Sequence, residues 1–88
     1  MRKFRYLRSV KRSYLEQGRI FFSCANYARL PAAERRRIDA LISRIGEEYA
    51  PALRALMVDG MPWQRVCTDY ALSPKTLERV RRRFYESW

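Results

Sequence analysis

The 88 residues include nineteen Lys and Arg against nine Asp and Glu, a formal charge of +10, with 48% apolar residues, 32% charged residues and no histidine. So short a chain makes one small domain that buries about 60 to 65% of its unfolded surface, and its apolar content argues against disorder. Without imidazole, and with Cys24 and Cys67 far apart in sequence, the composition speaks against an enzyme, a metal site or a bound cofactor and suits a reducing, cytoplasmic location, while the charge asks for a polyanion.

Residues 1 to 30 hold eight cations and one acid. Phe4, Leu7, Val10 and Tyr14 recur there at helical spacing, with Arg2, Lys3, Arg5, Arg8, Lys11 and Arg12 between and beside them, which predicts a basic amphipathic helix over 2–17. Its cations are candidates for phosphate contact, for an arm in a groove, for anionic lipid, or simply for a solvated face. Gly18 is a weak interruption. Residues 19–29 can continue helically with Ile20, Phe21, Cys24 and Tyr27 or Ala28 inward. The run Ile20 to Ala25 is too short to span a bilayer, and no membrane partner is expected. Tyr6, Tyr14, Phe21, Phe22 and Tyr27 are expected as core, with base stacking as the alternative.

Leu30-Pro31-Ala32-Ala33-Glu34 reads as a helix entrance, and Ile38, Leu41, Ile42 and Ile45 form the clearest stripe in the chain. Gly46 and Pro51 predict a break between Glu47 and Ala50. A short helix over 51–58 follows, with Leu53, Leu56 and Met57 inward and Gly60 as its left-handed stop.

Asp59-Gly60-Met61-Pro62 is a turn from which Pro62 opens a helix over 63–70. Val66 and Tyr70 share its inner side, beside Cys67, and Gln64 and Arg65 lie away from that seam. Ala71-Leu72-Ser73 connects it to the last helix, with Leu72 plugging the corner. Ser73 caps that helix ahead of Pro74. Leu77, Val80, Phe84 and Trp88 make one stripe. With Leu77 at zero on a helical wheel, Arg82, Lys75 and Arg79 fall at about 140°, 160° and 200°, with Arg83 and Thr76 flanking that face. Arg81 lies beside the stripe and is expected to snorkel to a phosphate or an acid. Ser73, Lys75, Thr76, Arg79, Arg82 and Arg83 are therefore the DNA-binding candidates, placed where a major-groove helix presents its donors. Phosphate contacts are assigned to Arg2, Lys3, Arg5, Arg8, Lys11, Arg12, Gln64 and Arg65.

From Tyr49 to Trp88 the chain resembles the helix-turn-helix of sigma-factor region 4, in the form found in small sigma-like regulators of phages and mobile elements. The resemblance rests on a leucine-rich helix, Gly60 ahead of the Trp63-led helix, and Ser73 followed by Thr76-Leu77. It implies that Ser73, Thr76, Leu77, Arg79 and Arg82 face promoter-type DNA, and it covers under half the chain. No region that would bind core polymerase is recognisable, so an auxiliary regulator fits better than a full sigma factor. RNA polymerase contact and a homodimer, for which terminal Trp88 is a contact candidate, are left open.

The expectation is an all-α fold, with a basic helical segment over 1–30 and a helical domain over 31–88 whose helix-turn-helix, at 51–88, follows two or three helices. The expected function is sequence-specific binding of double-stranded DNA by a transcriptional regulator. The alternative is a small basic interaction module or inhibitor that binds an acidic protein.

Overall fold

A computed structural model describes residues 2–88, so Met1 of the N-terminal segment lies outside the described residues. Within them the chain forms α1 (Tyr14–Ala25), a 3-10 turn (Tyr27–Arg29), α2 (Ala32–Arg44), α3 (Ala50–Met57), α4 (Trp63–Asp69) and α5 (Pro74–Ser87), with no strand. The all-α class holds, and three helices precede the final pair.

The first helix begins later than its apolar spacing implied. Residues 2–13 are extended and turned, and α1 starts at a capping box: Ser13 Oγ accepts from the Glu16 amide at 3.1 Å, and the Glu16 carboxylate accepts from the Ser13 amide at 2.9 Å. Those reciprocal bonds satisfy two donors that a helix start otherwise leaves open. Phe4, Leu7 and Val10 still turn inward, but as part of a strap laid across the helices. Gly18 does not break α1; the Phe4 ring lies over it, 3.6 Å from where a Cβ would stand.

Three anchors hold the strap. Arg2 donates to the carbonyls of Leu56, Met57 and Val58 at the end of α3. Arg12 donates to the Tyr85 and Glu86 carbonyls of α5 at 3.2 and 2.8 Å. Between them, fully buried Gln17 of α1 accepts from the Leu7 amide at 2.8 Å and donates to the Leu7 and Arg12 carbonyls, each at 3.0 Å. Both arginines thus complete helix C-termini, where orphan carbonyls and the negative dipole end favour a cation.

Val10, Ile20 and Cys24 share one core with Ile38, Leu41, Ile42, Ile45, Leu53, Met57, Val80, Phe84 and Tyr85. Val10, Ile20 and Cys24 thus pack the basic N-terminal segment onto the helices that follow. A second cluster of Ala52, Ala55, Val66 and Leu77 knits α3 to α4 and α5, with Leu72 packed against it at the corner as expected. The radius of gyration, 12.1 Å, equals the about 12 Å of a fully folded chain of this length. A lateral tie adds to the core: Tyr27 Oη donates to both Asp39 oxygens at 2.7 and 2.9 Å, and Arg54 forms an ion pair with the same carboxylate. Burial raises the Asp39 carboxyl, but hydrogen bonds from Arg54 and Tyr27 outweigh it and hold the group below its ordinary value.

Candidate nucleic-acid interface

Helix α5 is built as two opposed faces. Leu77, Val80, Phe84 and Tyr85 are buried, while Lys75, Arg79, Arg82 and Arg83 are exposed. Tyr85, off the expected stripe, also turns inward, into the core it shares with Cys24, Met57 and Phe84; burial pushes its hydroxyl up to about 12. Trp88 half-buries against Phe84, with the Arg37 guanidinium 4.8 Å from its ring centroid.

The start of α5 is fixed by its cap. Ser73 Oγ accepts from the Thr76 amide at 3.1 Å and donates to Thr76 Oγ1 at 2.9 Å. Ser73 is thus engaged within the helix, whereas the half-buried Thr76 hydroxyl keeps its own proton to donate. Upstream, α4 ends in a Schellman arrangement, with the Leu72 amide on the Cys67 carbonyl at 2.9 Å and the Ala71 amide on that of Thr68 at 3.4 Å. Ala71 occupies the left-handed position, φ 53°, where glycine is usual. The chain leaves the helical path at Asp69, so Tyr70 is exposed, contrary to its expected place beside buried Val66.

Among the described residues the ion pairs are Arg54 with Asp39 and, at 3.4 Å along α4, Arg65 with Asp69. Lys75, Arg79, Arg82 and Arg83 are therefore free of acidic partners, and the fold brings Lys75, Arg79 and Arg82 together on one side of a single helix. Gln64 and Arg65 stand exposed on α4, and Lys3, Arg5, Arg8 and Lys11 are exposed on the strap. Arg2 and Arg12, read as phosphate contacts, point inward onto backbone carbonyls. The expected snorkelling of Arg81 is also replaced: its guanidinium stacks 4.4 Å from the Trp63 ring centroid, half-buried, and burial lowers its pKa. The ring face substitutes for an anion.

The aromatic residues depart furthest from expectation. Tyr14, Phe22 and Tyr6 are 62%, 50% and 44% exposed, and Leu15 is 80% exposed. Phe4 binds this group from the strap side, with centroids 5.4 Å from Tyr14 and 6.0 Å from Phe22. Starting α1 at Tyr14 sets its inner face on Gln17, Ile20 and Cys24, which turns Tyr14 and Phe22 outward.

Cys24 is buried and its thiol is pushed up to about 12. Cys67 half-buries against the second cluster. Among the described residues no group of three or more His, Cys, Asp or Glu is placed to hold a metal ion, and no helix is long and apolar enough to cross a membrane. Compared with known proteins, the chain matches no family model, no curated protein and no solved structure.

Proposed function

We propose that this protein is a transcriptional regulator that binds double-stranded DNA in a sequence-specific way, with α4 and α5 acting as a helix-turn-helix and α5 as the reading helix. One observation carries the reading: α5 buries one face completely and leaves Lys75, Arg79, Arg82 and Arg83 exposed on the other side without acidic partners. Three of the four are arginines, whose planar donor fork matches the O6 and N7 acceptors of guanine. Gln64 and Arg65 on α4 are assigned to phosphates. The resemblance to sigma region 4 extends the proposal to promoter-type DNA and to a phage or mobile-element origin, and the two free cysteines, Cys24 and Cys67, extend it to a reducing, cytoplasmic setting.

The test is selection of bound sequences from a random duplex library, followed by Arg79→Ala and Arg82→Ala on the selected site. If either side chain reads a guanine, its loss costs about 1 to 3 kcal/mol and relaxes preference at one position. Unchanged affinity in both variants would sink the assignment.

A second reading, a basic interaction module for an acidic protein, is favoured by the exposed group of Tyr6, Tyr14, Leu15 and Phe22. Association that survives nuclease and ignores DNA competitor would select it.

A further inference from the structure

The strap alternates as an extended chain does. Phe4 and Tyr6 lie against the rings of α1, and Lys3, Arg5 and Leu7 line the opposite side. The strap thereby forms one wall of an open groove of about 590 Å³ lined by Lys3, Phe4, Arg5, Leu7, Trp63 and Arg81, with no carboxylate. Three cations converging without an acid repel one another, and among the described residues no acid forms an ion pair with any of them. Arg81 is the costliest of the three, since it is half-buried against the Trp63 ring and the nearby Glu78 favours its charge without forming an ion pair, so that burial still outweighs that help. The wall is also stiff, because Arg2 ties one end of the strap to α3 and Gln17 ties Leu7 to α1. Lys3 and Arg5 are thus presented from an ordered backbone, which lowers the entropic cost of gripping a ligand.

We propose that this groove holds a phosphodiester of the nucleic-acid strand that passes α5, so that strap and helix clamp one backbone between them. The proposal rests on the DNA-binding reading above and deepens it. Arg81 is one residue from Arg82, about 100° around the helix, so a strand touching the outer face of α5 has the groove beside it. The first helix of such a pair crosses the backbone, and Trp63 begins that helix here. The cations supply affinity and register, and the outer face of α5 supplies sequence preference.

The test compares the Lys3→Ala/Arg5→Ala double variant and Arg81→Met with the unaltered chain on a selected and a scrambled duplex, over a range of salt. Lys3 and Arg5 are exposed, and among the described residues their side chains donate no hydrogen bond, so the double variant should keep its melting temperature; Met retains packing on Trp63 and removes the charge. Each neutralised phosphate contributes about 0.9 to the slope of log K against log salt. The expected result is a slope shallower by about one, with affinity falling by the same factor on both duplexes. An unchanged slope overturns the clamp. So does quenching of Trp63 emission by a free mononucleotide, read in a Trp88→Phe background, if the variants abolish it while leaving the duplex slope intact, because the groove then serves a small phosphate ligand. Arg79→Ala/Arg82→Ala separates the two proposals. If it leaves sequence preference untouched while the strap variants change the slope, the reading of α5 fails and the clamp stands.

Discussion

At the scale of single residues, Gly60 and Gly18 behave differently, and their surroundings say why. Gly60 has φ 72°, and a Cβ there would stand 3.0 Å from Arg2 Cδ. Gly60→Ala should therefore destabilise by about 1 to 2 kcal/mol from backbone strain alone, with a further loss as Arg2 is pushed off the α3 carbonyls. Gly18 sits inside α1 with only an ordinary contact to Phe4, so Gly18→Ala should stabilise by about 0.5 to 1 kcal/mol in chemical denaturation. Cys24 and Tyr85 give a pH signature. Their ordinary values are 9.0 and 10.0, and burial raises each to about 12 in the folded chain. The unfolded chain thus loses these protons first, so the stability from keeping both groups neutral is full below about pH 9 and is lost as pH rises toward 12. The melting temperature should fall steadily across that interval, and Cys24→Ala should flatten the early part of the fall. Cys24 should also resist alkylation at neutral pH until the protein unfolds.

At the scale of elements, the turn between α4 and α5 offers the sharpest test. Ala71 is the one non-glycine residue at positive φ among those described, so Ala71→Gly should stabilise by about 1 kcal/mol without moving either helix. Unaltered or lowered stability in thermal melts would mean that this turn is not left-handed in solution. The cap that follows makes the opposite prediction, because Ser73→Ala removes the bond to the Thr76 amide and should cost about 1 kcal/mol. Helices α2, α3 and α5 were legible because each combines a helical apolar stripe with Pro or Gly near its ends, and both signals arise within the segment itself. The start of α1 was also written in the sequence, as Ser13 and Glu16 three residues apart. It was overridden there by the spacing of Phe4, Leu7, Val10 and Tyr14, which a strap satisfies as well as a helix does. Periodicity reports which residues turn inward, whereas a cap reports where the backbone geometry changes.

At the scale of the whole molecule, the outer face of α5 was legible because it follows from one helix and its own stripe. The roles of Arg2, Arg12 and Arg81 were not, because each depends on a segment distant in sequence: the ends of α3 and α5, and the Trp63 ring. The same long-range ties make the strap part of the fold, and a deletion of residues 2–12 that keeps Ser13 tests this. It would remove buried Val10, a burial of about 1.5 to 3 kcal/mol, and the guanidinium caps of α3 and α5. It would also strip fully buried Gln17 of its three backbone bonds and open the core beneath the strap to water. A chain of this size has about 5 to 10 kcal/mol of stability in all. The truncated protein should therefore lose its cooperative melting transition and much of its helical circular dichroism at 25 °C. Were the strap only a charged arm, the deletion would leave the melt unchanged and weaken DNA binding through the salt slope alone. Gln17→Leu distinguishes further: it keeps the strap and its charge but breaks the same bonds, so a strap held by them should detach, lowering the melting temperature with every cation still present.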